Sequence, residues 1–148
     1  MSPLSKKTAL FRMQPFTDKI GLGTVQFGLN YGISNQTGKP ADESVRNILA
    51  EAYESGIRTI DSATLYGDSE TVIGRNLSDK HNFQIVTKTP HFAEERLTSI
   101  DGKLLVESFH QSLRNLKTKS CYGLLIHAPT DLLKPGAIHL IDAMSGLK

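Results

Sequence analysis

Three apolar runs in this chain close on an ionisable side chain. Ile57-Arg58-Thr59-Ile60 ends on Asp61, Phe83-Gln84-Ile85-Val86-Thr87 ends on Lys88, and Tyr122-Gly123-Leu124-Leu125-Ile126 ends on His127. An earlier run, Lys19-Ile20-Gly21-Leu22-Gly23-Thr24, passes into a loop rich in turn formers: Gly28, Asn30, Gly32, Asn35 and Gly38. Short, nearly continuous apolar runs suit the strands of a parallel sheet buried on both faces.

The segments between the runs carry the helical period. A helix is predicted from Pro40-Ala41-Asp42-Glu43, with Val45, Ile48, Leu49, Ala52 and Tyr53 on its inner face and Gly56 as its stop. A second is predicted from Ser69 through Val72, Ile73 and Leu77, capped by Asp68 or Ser69. Residues 91–101 read as a polar linker. A third helix follows over Lys103 to Lys117 with Val106, Phe109, Leu113 and Leu116 as its stripe. A fourth is predicted from Lys134-Pro135, facing inward through Ile138, Ile141 and Met144 or Leu147. The order β-α-β-α-β-α-β-α with right-handed crossovers lays the strands side by side in chain order. The expected class is α/β: either the first four units of a (β/α)8 barrel or a small open sheet. Residues 1–148 are expected to form one partial domain, with 1–19 weakly ordered and Met13 as a second candidate start.

Composition narrows the function classes. The 17 basic and 15 acidic residues leave a net charge of +2 without a basic run, which argues against nucleic-acid binding. No stretch approaches the roughly 18 apolar residues of a membrane span, and the N-terminal segment lacks the apolar core of a secretory signal. Cys121 is the only cysteine, so no internal disulfide and no cysteine metal cluster is available. That suits a reducing cytoplasm, and the place of Cys121 at the start of an apolar run suits a buried structural thiol.

Asp61, Lys88 and His127, with Tyr66 in the loop Ser62-Ala63-Thr64-Leu65-Tyr66-Gly67, form a set with one chemistry in common. A phenol with an unperturbed pKa of about 10 is a weak acid at neutral pH. A neighbouring lysine cation stabilises its phenolate, and a carboxylate holds that lysine in place. A histidine then orients a carbonyl or shares the proton. Taken singly, Asp61 also suits a turn cap, Tyr66 a loop aromatic and His127 a core histidine. Polar residues at the C-terminal ends of successive strands are how a β/α barrel builds an active site. The remaining histidines, His81, His91, His110 and His139, read as surface residues. Gly21-Leu22-Gly23 does not complete a dinucleotide fingerprint, because Gln26 stands where the last glycine is needed and a long loop follows. Its glycines are expected to permit a tight turn and close backbone approach.

The segments Gly21-Leu22-Gly23-Thr24-Val25-Gln26-Phe27-Gly28, Asp61-Ser62-Ala63-Thr64-Leu65-Tyr66-Gly67-Asp68-Ser69-Glu70, Thr87-Lys88 and Leu124-Leu125-Ile126-His127-Ala128-Pro129 resemble the aldo/keto reductase family. The stretch from Thr24 to Ile33 resembles its bacterial branch. The resemblance implies a (β/α)8 barrel of which this chain carries about half. It also implies NADPH-dependent reduction of an aldehyde or ketone. Tyr66 would be the proton donor, Lys88 and Asp61 its tuning pair, and His127 the carbonyl-orienting residue. Gly23, Thr24, Val25 and Asp61 would lie at the cofactor, with Thr24 and Asp61 near the nicotinamide ribose, and no metal is implied. Most of the cofactor clamp would belong to the other half of the barrel. The expected partners are therefore a small carbonyl substrate and either a complementary C-terminal half or a second copy. The alternative function is an inactive half barrel or a non-enzymatic interaction module.

Overall fold

The structure is a computed structural model and describes residues 19–33 and 35–147. The expectation of weak order over 1–19 therefore falls, up to residue 18, outside the described residues. Four parallel strands lie in chain order: β1 (Gly21–Gly23), β2 (Thr59–Asp61), β3 (Gln84–Lys88) and β4 (Gly123–Leu125). Gly23 is in register with Asp61, Asp61 with Val86, and Lys88 with Leu125. The helices are α1 (Val25–Gly28), α2 (Asp42–Glu54), α3 (Ser69–Asn76), α4 (Ser99–Leu116) and α5 (Ile138–Ser145), with a 3₁₀ turn over Pro129–Leu133. Among the described residues no helix is long and apolar enough to cross a membrane.

Strand alternation sorts the sheet into two faces. Ile60, Ile85 and Thr87 point to the helices and are buried. Thr59, Asp61, Val86 and Lys88 point the other way and are half-buried, while Gly23 and Leu125 are exposed. The apolar runs therefore mark strands covered on one face here, not on both. The main core packs Val45 and Leu49 of α2, Val72 and Ile73 of α3, and Leu116 of α4 against Ile60 and Ile85. A smaller core gathers Phe92, Leu97, Leu105 and Leu140 under Leu124 and Ile126.

Several boundaries differ from the sequence reading. The loop after Thr24 opens with the single turn α1. The supposed linker 91–101 holds two core residues, Phe92 and Leu97, and ends inside α4. That helix starts at Ser99 because Thr98 and Asp101 form a reciprocal capping box. Its buried stripe is Gly102, Leu105, Ser112 and Leu116, so Val106, Phe109 and Leu113 fall beside it and are half-buried. α5 starts later than Pro135 and buries Leu140, while Ile138 and Ile141 remain exposed. Gly136, in the turn before it, has φ +87° and stands where a Cβ would lie 2.0 Å from the Leu97 carbonyl oxygen, so only glycine fits this close passage. Asp68 sits at the N-cap of α3 without a capping hydrogen bond and is ion-paired with Lys39 instead.

Candidate active site

The C-terminal ends of β2 and β3 bring Asp61 and Lys88 together. Lys88 Nζ lies 2.7 Å from Asp61 Oδ1, donates to the Ser62 carbonyl oxygen at 2.9 Å, and reaches the Tyr66 hydroxyl at 3.4 Å. An ammonium has three N–H donors, and these three acceptors use all of them. The same nitrogen stands 4.9 Å from the centre of the Tyr66 ring. The Lys88 side chain is 16% exposed and that of Asp61 40%, so the pair sits at a wet rim.

His127 lies two residues beyond the end of β4, not on the strand. Its backbone N–H donates to Thr89 Oγ1 at 3.1 Å, and its ring stands edge-on to Tyr66, with centroids 6.0 Å apart and planes at 80°. Its Nδ1 is buried and has no hydrogen-bond partner among the described residues. Burial first, then the Lys88 cation and His91, hold the imidazole below its ordinary pKa of 6.5, with Asp61 acting the other way. The four residues singled out in the sequence thus meet in one cluster.

Two glycines shape the turn that carries Tyr66; the sequence marks both as turn residues but not their approach to each other. A Cβ on Gly28 would fall 1.7 Å from the Tyr66 carbonyl oxygen, and one on Gly67, where φ is +60°, would fall 2.4 Å from the Gly28 carbonyl oxygen. By contrast, Gly21 has only ordinary contacts at 3.7 Å and Gly23 faces open space, so the close approach expected of that pair occurs elsewhere.

The remaining histidines are not all surface residues. His81 stacks on Tyr53 at 4.8 Å, and His139 is half-buried. His91 is exposed but stands 3.8 Å from the fully buried Asp131, which Lys134 approaches to 2.8 Å. Cys121 is half-buried; burial first, then the Glu70 charge, pushes its thiol up to about 11, which leaves it protonated and unreactive at neutral pH.

The profile of the aldo/keto reductase family matches residues 19–148. The chain belongs to the aldo/keto reductase family. A Pseudomonas aeruginosa protein described as a candidate aldo-keto reductase is 29% identical, with a TM-score of 0.67 over 86% of this chain and 50% of its own. The holo form of an aldo-keto reductase from Bacillus halodurans, 22% identical, shares the fold with a TM-score of 0.64 over 88% of this chain and 42% of its own. A Schizosaccharomyces pombe protein named as a candidate voltage-gated potassium channel subunit beta is 31% identical over 96 residues, covering 59% of this chain and 28% of the relative. The chain thus spans about half the length of these solved relatives. Its four-stranded parallel sheet with packed helices matches that portion of the family's β/α barrel.

The fit to a nicotinamide nucleotide is confined to one end of such a molecule. Asp61 Oδ2 accepts no hydrogen bond among the described residues and stands at the open rim. The backbone at Gly23 is exposed and unobstructed, and Val25 is half-buried beside it. Thr24 is fully buried and donates its hydroxyl to the Asp61 carbonyl oxygen at 2.9 Å. The cluster therefore offers an acceptor for a ribose hydroxyl, and its one cation, Lys88, is already committed.

Proposed function

We propose that this chain supplies the proton-transfer half of an NAD(P)H-dependent reductase acting on an aldehyde or ketone. The observation that carries the reading is Lys88 Nζ held between Asp61 Oδ1 and the Tyr66 hydroxyl, at 2.7 and 3.4 Å. When bound, the nicotinamide supplies a hydride to the carbonyl carbon. The Tyr66 hydroxyl gives its proton to the carbonyl oxygen as negative charge builds there. Lys88 donates a hydrogen bond to the phenolate oxygen left behind, and Asp61 keeps that ammonium aimed. His127 meets the substrate oxygen as a neutral imidazole, in keeping with its depressed pKa. Gly23, Val25 and the free oxygen of Asp61 would receive the nicotinamide ribose, with Thr24 acting from beneath through the Asp61 backbone. NADPH is the expected nucleotide, and the cytoplasm the expected compartment.

The rest of the cofactor's grip must come from elsewhere. Among the described residues, both β1 and β4 end the sheet with one unpaired edge, and the β4 edge continues into an apolar groove lined by Phe109, Tyr122, Leu124, Ile126, Met144 and Leu147. Unpaired edges of this kind template the addition of strands. A complementary C-terminal half, or a second copy, is therefore the expected partner, and the 148-residue chain alone should sediment as an associated species. A non-catalytic interaction module is the second reading; the same edge and groove favour it.

The test is transfer of deuterium from C4-deuterated NADPH to a panel of aldehydes and ketones, read in the alcohol by mass spectrometry. It should be run on the chain alone and with a complementary half. Label in the alcohol for the assembled form supports the reductase reading. No transfer in either form favours the interaction module. A monomer that binds NADPH at micromolar strength would contradict the need for a partner.

A further inference from the structure

Beneath the Tyr66 turn lie three hydroxyls with no solvent exposure: Thr24, Ser62 and Ser69. Ser69 Oγ is 2.9 Å from both Thr24 O and Thr24 Oγ1, and 3.3 Å from Ser62 Oγ. Thr24 Oγ1 in turn donates to the Asp61 carbonyl oxygen at 2.9 Å, which also accepts the Thr24 backbone N–H at 3.1 Å. Each hydroxyl has one proton. The Thr24 proton is committed to Asp61 and the Ser69 proton to Thr24, so Ser62 must be the donor to Ser69. The chain is directed: Ser62 to Ser69, Ser69 to Thr24, Thr24 to the carbonyl of Asp61.

Both ends of this chain meet the proton-transfer cluster. Asp61 holds Lys88 through its carboxylate and ends the hydroxyl chain through its carbonyl. Ser62 begins the chain, and its carbonyl accepts from Lys88 Nζ. Ser69 sits in the middle, and its backbone N–H donates to the Tyr66 carbonyl oxygen at 3.1 Å. Gly28 closes the same spot from above, since a Cβ there would strike both Tyr66 O and Ser69 N. One serine thus ties the end of β1, the end of β2 and the Tyr66 turn together. Buried hydroxyl networks are stiff because each unmade bond leaves a desolvated polar group.

We propose that Ser69 is a positioning residue of this site: its hydroxyl fixes where the Tyr66 phenol stands relative to the Lys88 ammonium. The proposal rests on the reading of Tyr66 as proton donor for its importance, but not for its test, which needs no turnover.

The experiment compares Ser69→Ala with the unaltered 148-residue chain, labelled with [13Cζ]tyrosine and 15N. The Tyr66 resonance is assigned with Tyr66→Phe. The expected result is a displaced Tyr66 13Cζ resonance at neutral pH and roughly tenfold faster exchange of the Ser69 amide, with the Tyr31, Tyr53 and Tyr122 resonances unmoved. Ser112→Ala is the control: Ser112 is another buried serine, but its hydroxyl has no partner among the described residues, so its loss should leave Tyr66 where it is. If Ser69→Ala fails to fold, Ser62→Ala decides, because it removes only the first donor of the chain and should move Tyr66 less but in the same direction. An unmoved Tyr66 resonance in a folded Ser69→Ala, or in Ser62→Ala, overturns the proposal; so does an equal displacement in Ser112→Ala. An enzyme without reductase activity that still shows the Ser69→Ala displacement would sink the proposed function and leave this assignment standing.

Discussion

On the helix side of the sheet, Ile60 and Ile85 lie under α2, α3 and α4, and even the polar Thr87 is buried, donating to Glu70 Oε1 at 2.6 Å. On the opposite side, Asp61 and Lys88 alternate with them along the same strands and remain partly open. Neighbouring residues of one strand thus answer to different demands. Those facing the helices exchange water for packed carbon, a gain of about 25 cal/mol per Å². Those facing away keep a charged pair at the rim, where burial would cost more than the pair returns. What the contrast teaches is that the helix face maintains the fold, while the open face is free to hold reactive groups that contribute little to stability.

Substitutions on the two faces should therefore separate stability from turnover. Leu49 of α2 is fully buried against the helix face, so Leu49→Ala should cost about 2–5 kcal/mol in a denaturant titration. A loss below 1 kcal/mol, by the same measure of cavity cost, would mean this face is not the one that holds the fold. Lys88→Met acts on the open face. It removes a hydrogen bond from a charged donor to the developing phenolate, and turnover in the assembled enzyme should fall roughly ten- to a hundredfold. The denaturant midpoint should move far less than for Leu49→Ala; the reverse pattern would break the division between faces.

The smallest effect is a pH dependence from His127. The folded chain holds this histidine below its ordinary 6.5, so in the window just beneath that value the unfolded chain binds more protons. Stability should accordingly decline as pH falls through that window, and His127→Gln should flatten this part of the slope. An unchanged slope between the two proteins, measured by thermal melts across the window, would show that His127 is not held neutral by its surroundings.

How much of this was legible beforehand follows the same division. The alternation of apolar runs and helical stripes located the four strands and α2 through α5, because each is a local pattern of burial. Asp61, Lys88 and His127 stood out because each follows an apolar run, and Tyr66 because the D-x-A-x-x-Y-G-x-S-E segment is so specific. What could not be read depends on contacts distant in the chain. The bond between Ser69 and Thr24 spans 45 positions, and the closeness of Gly28 to Tyr66 appears only once α1 lies against α3. The start of α4 was different, since Thr98 and Asp101 formed a visible capping signal that the polarity of the segment disguised. On α5, Met144 and Leu147 of the expected stripe pack on the smaller core, while Leu140 takes the inward place expected of Ile138 and Ile141.

The most direct test of the account is Tyr66→Phe, with turnover and thermal midpoint measured on the same preparations of the assembled enzyme. The phenol acts only on the alkoxide as it forms, so its loss should appear in the transition state and not in nucleotide binding. The account predicts a turnover loss well beyond tenfold, with cofactor affinity and midpoint nearly unchanged. A loss smaller than about tenfold, about 1.4 kcal/mol, would contradict the assignment of Tyr66 as the proton donor.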